Sequence, residues 1–240
     1  MTVQKGALPV WVLALFLCLV LLACGGESEE GDLTVPDISD EQLALMVLKQ
    51  SELGEGYAGF ELTLSRLETR EQRAAHVTED EAKDLERFGE LKTYEQRYSR
   101  DEVLAEGAGP YRLGTTVFVF GGVEGASSYL DDDVADLERS AGEQGGLTQI
   151  HNVERFALDA VGDESLGLRM VVSSFTEKGW VSHYHTLAWF REGRLLALVS
   201  LVRLDNSDAR AEIEALVHKL DQRIQAVLAG QVTPTPVATQ

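Results

Sequence analysis

Cysteine is nearly absent, and where it occurs it cannot staple a folded domain. The 240 residues hold two, Cys18 and Cys24, both within the first 24 positions. Any body further along must therefore be held by its own core. Positive charge is scarce as well: 21 Lys and Arg stand against 40 Asp and Glu, a formal net charge of −19. A phosphate backbone demands a basic footprint, so nucleic acid is excluded as a partner. There is no collagen-like, heptad or low-complexity bias, and no internal repeat. Hydrophobic residues at 44% and charged residues at 25% make an ordinary globular mix, with length for one domain plus trimmings.

One long uncharged run is present. After the single basic residue Lys5, Ala7 to Ala23 carries no charge over seventeen residues. At ~1.5 Å per residue that is short for a ~30 Å hydrocarbon core. A basic start, an apolar stretch and a small residue at its end describe a secretory signal peptide. The run closes Leu21-Leu22-Ala23-Cys24 and is followed by Gly25-Gly26. In this it resembles a bacterial lipoprotein signal with its lipobox: an aliphatic residue three before the cysteine, a small one just before it, then cysteine. Cys18 fails the pattern because bulky Leu17 precedes it. The resemblance implies cleavage between Ala23 and Cys24 and a diacylglycerol, with palmitate-type chains, on the Cys24 sulfur. The protein would then be a lipoprotein held to a membrane on its extracytoplasmic face, whether cell surface or periplasm. Loss of residues 1–23 removes only Lys5 and takes the charge of −19 to −20. A body that acidic does not adhere to an anionic membrane unaided, so lipid must hold it. Two or more acyl chains do so stably where one does not.

The expected organisation is a signal over 1–23, a lipid-attached acidic tether over 24–38, one α+β domain over 39–229 and a Thr/Pro tail over 230–240. The tether is Gly, Ser and acid, which repels itself and buries little. The tail's two prolines and three threonines carry no apolar period. Within the body, Ser39 and Gln42 form a capping box before Leu43 and Met46. A strand is expected near 57–65, and a loosely amphipathic helical region over 69–88, stopped at Gly89. Strands follow at Leu91–Arg100 and Thr115–Phe120. After Gly121-Gly122, the residues Val123, Ala126, Leu130, Val134, Leu137 and Ala141 recur at helical spacing, and Gly145-Gly146 closes that unit. Leu166–Val172, Val181–Phe190 and Leu195–Leu204 read as an antiparallel meander, turned at Glu177-Lys178-Gly179 and Glu192-Gly193. The last strand is apolar on both faces, hence central. A closing helix runs from Ala209 to Val227 behind Asn206 or Ser207 as cap. The expected fold is an antiparallel sheet with helices on one face.

Strand-glycine-helix, then Val161-Gly162-Asp163-Glu164 leading a meander, then Phe190-Arg191-Glu192-Gly193-Arg194 and a closing helix, resembles a known arrangement. It is similar to the extracytoplasmic sensor-like domains of bacterial lipoproteins and receptor Ser/Thr kinases, and through them to PsbP-like α+β domains. The likeness covers about 85–229. It implies a non-enzymatic binding or sensing domain with no catalytic residue to carry over. The ligand or protein partner would be one met in the envelope.

Candidate chemistry is sparse. His183 and His185 sit two apart, so on a strand both rings share a face, as a metal site requires. Zinc needs three or four ligands, and no HExxH or cysteine pair supplies the rest. The alternative function, an envelope enzyme or metal-binding protein, would be built on these two. His76, His151 and His218 stand alone. Asp131-Asp132-Asp133 with Asp136 fan out by ~100° each on a helix and cannot converge on Ca²⁺, which leaves a solvated helix face. Gly121-Gly122-Val123-Glu124-Gly125 lacks a following Lys-Ser/Thr, and Glu124 repels phosphate; a tight strand-to-helix turn accounts for it. No Gly-x-Ser-x-Gly elbow occurs. No motif calls for a cofactor. A deep apolar cleft would favour a small-molecule ligand. A flat face with exposed aromatics, Trp180 or Trp189 among them, would favour a protein.

Overall fold

The computed structural model describes residues 37–101, 109–142, 144–145, 147–177 and 179–232. The signal segment, Cys24, nearly all of the tether, Gly146, Lys178 and the tail from 233 lie outside the described residues. The strands are β1 (Glu61–Thr69), β2 (Glu90–Ser99), β3 (Pro110–Phe120), β4 (Gln144–Gly145), β5 (Thr148–Phe156), β6 (Glu164–Thr176), β7 (Gly179–Glu192) and β8 (Leu195–Arg203). The helices are α1 (Asp40–Met46), α2 (Gln50–Leu53), α3 (Arg70–Ala74), α4 (Glu79–Arg87), α5 (Val123–Arg139) and α6 (Arg210–Leu228). No helix among the described residues is long and apolar enough to cross a membrane.

All eight strands join one antiparallel sheet in the order β1-β2-β3-β8-β7-β6-β5-β4. The fold class is α+β, as the sequence predicts, and the meander β6-β7-β8 is present in full. Its second turn needs glycine: the two-residue link after Glu192 sets Gly193 at φ 55°. β8 is central, between β3 and β7, which is why Leu195 to Val202 is apolar on both faces.

Helices, however, cover both faces rather than one. On the first face, Val117, Val119, Ala188, Phe190, Ala197 and Val199 pack under α1 and α6 through Leu43, Met46, Ile213, Leu216, Leu220 and Ile224. On the other, Phe118, Phe120, Leu168, Leu187, Trp189 and Leu196 pack under α5 through Ala126, Leu130 and Val134. Strand residues alternate between the two sets, as a pleated sheet requires. Each fully buried Leu or Phe contributes about 1.5–3 kcal/mol relative to exposure, so neither layer is dispensable.

Several local expectations need correction. The helical region over 69–88 is two helices, α3 and α4, each opened by its own capping box, Thr69 with Gln72 and Thr78 with Glu81. β3 begins at Pro110, five residues before the expected Thr115. β5 has no counterpart in the sequence reading. α6 starts behind Ala209, with no side-chain cap; instead Asp208 Oδ1 accepts from the Arg210 amide at 3.0 Å. The Ser39–Gln42 box forms as expected, with reciprocal bonds of 3.2 and 2.9 Å. Ile38 is already buried, its carbonyl accepting from Lys92 Nζ, so the packed body includes this residue.

The two turns that carried the likeness to sensor-like domains meet. Arg191 reaches Asp163 at 2.9 Å and Glu164 at 3.2 Å, while Asp163 Oδ2 accepts the Gly193 amide at 2.8 Å. Gly162 (φ 60°) lies against the Arg191 carbonyl, where a Cβ would come within 2.3 Å. These residues lock the β5–β6 connection onto the β7–β8 turn.

Candidate functional site

His183 and His185 share the α5 face of β7 but gather no metal shell. His183 Nδ1 lies 2.6 Å from the Tyr111 hydroxyl. Burial, with His183 and Arg112 adding to it, holds His185 down to about 4, so its ring is neutral at pH 7. Among the described residues no third histidine, cysteine or carboxylate completes a ligand set.

The acidic run on α5 is not uniformly solvated. Asp131 and Asp136 face water, but Asp133 turns inward, because neighbours on a helix are ~100° apart. Burial pushes its carboxyl up to about 6, against the pull of Arg73 and of Trp189. Trp189 Nε1 approaches it without reaching full hydrogen-bond geometry. Beneath it, Arg73 Nη1 meets the fully buried Glu90 at 2.5 Å and Arg73 Nη2 donates to the Tyr129 hydroxyl at 3.2 Å. Thr93 donates to Glu90 at 2.8 Å. Burial lowers the Arg73 pKa, but Tyr129 and Glu90 together raise it above the ordinary guanidinium value. The network ties α3 and α5 to β2 around a cleft of about 200 Å³. Close packing of this layer explains the glycine run: a Cβ at Gly125 would meet the Phe88 carbonyl at 2.1 Å. No phosphate is needed to account for it.

Trp189, one of the two tryptophans considered for an exposed aromatic face, is core, at 1% exposure. Trp180 is 48% exposed and packs edge to face with Phe175, itself 50% exposed, at 5.5 Å. These two are register partners near the β6–β7 tip.

The tip borders a concavity on the α6 face. β6 and β7 run past the start of α6, leaving uncovered a groove of about 500 Å³. Three strands supply its floor on alternate residues: His151 and Glu154 from β5, Arg169, Val171 and Ser173 from β6, Ser182 and Tyr184 from β7. Asn206, in the β8–α6 connection, forms the back wall. His151 Nε2 lies 3.1 Å from Ser173 Oγ, which lies 3.0 Å from Ser182 Oγ. His151 therefore does not stand alone. Arg169 donates to the Asn206 carbonyl at 3.0 Å and to its Oδ1 at 2.5 Å. Glu154 is paired with Arg210 at 2.6 Å, and Arg210 lies over the Phe156 ring at 5.2 Å. A bulge between His151 and Glu154 sets Asn152 at φ 47°, a left-handed conformation that non-glycine residues adopt at a cost. The bulge returns Glu154 to the groove face after His151.

No protein-family model matches the chain, and no curated protein matches it in sequence. Among solved structures, the extracellular domain of PknH from Mycobacterium tuberculosis matches with a TM-score of 0.50 at 11% identity, over 77% of this chain and 97% of that one. The chain shares its fold with an extracellular domain. The Rv0999 ortholog of Mycobacterium smegmatis aligns with a TM-score of 0.38 at 12% identity, over 81% of this chain and 99% of that one; at that score it adds nothing to the assignment.

Proposed function

We propose that the protein is a lipid-anchored extracytoplasmic domain with a binding or sensing role rather than a catalytic one, and that the groove over β5–β7 is its binding surface. The groove carries the reading: it is open, preformed and lined by hydrogen-bonding side chains at an end of the sheet that no helix among the described residues covers. The fold held in common with the extracellular domain of PknH supports an extracytoplasmic setting. The Leu21-Leu22-Ala23-Cys24 sequence supports anchorage through lipid on the Cys24 sulfur, where each buried CH₂ is worth ~0.8 kcal/mol. The competing reading, an envelope enzyme or metal-binding protein using His183 and His185, gains no support from the surroundings of those rings.

The test is metabolic labelling with radioactive palmitate in a bacterium that processes lipoproteins. The wild-type chain takes up label and sediments with membranes; Cys24→Ser loses both. An unmodified thiol at Cys24, or an intact mass that still includes the first residues, refutes the anchorage.

A further inference from the structure

We propose that the β5–β7 groove binds a neutral saccharide, stacked on Trp180 at the open lip and hydrogen-bonded along the sheet face to Ser182, Ser173, Tyr184 and His151. This rests on the binding role proposed above and names its ligand class.

Charge makes the first selection. The chain as a whole is strongly acidic, yet the groove is not: Glu154 is paired with Arg210, and Arg169, held on the neutral carbonyl and Oδ1 of Asn206, keeps its charge. An anionic ligand would have to draw Arg169 away from both Asn206 oxygens or find a bare helix N-terminus. Among the described residues the helix start at the groove is that of α6, where Asp208 already takes the Arg210 amide. Phosphates and carboxylates are thereby disfavoured. A cationic ligand finds one carboxylate on the floor, already paired.

Polarity makes the second. Lipid tails want an apolar lining, whereas this lining is mostly polar: two serines, a histidine, a tyrosine and two asparagines beside Glu154, Arg169, Met170 and Val171. Hydroxyl, amide and imidazole groups donate and accept, and such groups match sugar hydroxyls, which do the same. The Ser173–Ser182 contact at 3.0 Å has either oxygen as donor, so the chain can reverse its polarity to suit the ligand. An extended peptide would seek a free strand edge, but β6 and β7 are paired on both sides.

The aromatic lip makes the third. Trp180 and Phe175 expose about half their surface on the same sheet face as the floor. Exposed apolar rings in a polar surround mark a contact site. Trp180 and Ser182 are two positions apart on one strand, ~6.6 Å, so a ring stacked on the indole places the next unit over the serine pair. The volume, about 500 Å³, lies in the ~300–1,000 Å³ range of small-ligand sites.

The full-length chain is titrated calorimetrically with neutral hexasaccharides (maltohexaose, laminarihexaose, mannohexaose and chitohexaose), and separately with inorganic phosphate and with zwitterionic and anionic vesicles. At least one neutral sugar is expected to bind at millimolar concentration or better, with a blue shift of tryptophan emission. Trp180→Ala should weaken it roughly tenfold or more, and Tyr184→Phe several-fold, with unchanged thermal midpoints because both side chains are partly exposed. The assignment is overturned if no neutral sugar binds by 10 mM, if only phosphate or vesicles bind, or if both variants bind as wild type does. Palmitate labelling at Cys24 reads independently of this titration: labelled protein that ignores every sugar retires the ligand class and leaves the anchored domain standing.

Discussion

Replacing Asp133 with asparagine should stabilise the protein at neutral pH and leave it unchanged near pH 4. Burial raises this carboxyl from 3.8 to about 6 in the folded state, with Arg73 and Trp189 only partly opposing the rise. A native group that holds its proton more tightly than the unfolded chain makes folding proton-consuming between those two values. Stability then falls as pH rises through that window. A shift of about two units corresponds to roughly 3 kcal/mol at 1.36 kcal/mol per unit. Asp133 is only partly buried by surface area, so solvent screening reduces that to roughly 1–2 kcal/mol. Asparagine keeps the shape and removes the titration. Urea unfolding of wild type and Asp133→Asn at pH 4, 5, 6, 7 and 8 reads the difference directly. The midpoints should coincide at pH 4 and separate progressively up to pH 7, with the variant the more stable. A constant offset, or a variant that is less stable at pH 7, refutes the account and makes the carboxylate a net stabilising partner of Arg73.

His185 should produce the opposite slope. Its folded value, held down to about 4 by burial, His183 and Arg112, makes the unfolded chain the better proton binder below about 6.5. Stability is fully present above that pH and is lost as pH falls toward 4; His185→Gln should flatten this limb in the same urea series. Arg73→Ala should cost about 3–5 kcal/mol, because it strands the fully buried Glu90 carboxylate with Thr93 as its remaining neutral partner. A thermal scan of Arg73→Met with Glu90→Gln should recover most of that loss.

The fold was legible wherever burial has a period. α5 and α6 each bury one stripe at three- and four-residue spacing, and β8 is apolar on successive residues because both of its faces are covered. β5 is not legible, for the complementary reason. It lies toward the sheet edge, carries Gln149, His151, Glu154 and Arg155 on a short strand, and has its alternation reset by the bulge at Asn152. The one-sided arrangement of helices follows from taking the meander and its closing helix as a single α+β layer. Its refutation was already implicit in β8, since a strand apolar on both faces needs a cover on each.

The groove is not legible in the sequence because its residues belong to the positions that an apolar alternation leaves over. In β6 the periodic set Leu166, Leu168, Met170 and Val172 points to the α5 layer, and what remains is Arg169, Val171, Ser173 and Phe175. In β7 the matching remainder is Trp180, Ser182 and Tyr184, the alternate residues to His183 and His185. Toward the C-terminal end of β7 the same face is apolar, at Ala188 and Phe190, because α6 lies over it. The change from Ala188 and Phe190 to Ser182 and Tyr184 along one face therefore marks where the helix stops covering the sheet. Reading the face opposite an apolar stripe for such a change locates uncovered sheet from sequence. The paired histidines lie on the other face, where Tyr111 and Arg112 occupy their surroundings and burial keeps His185 neutral.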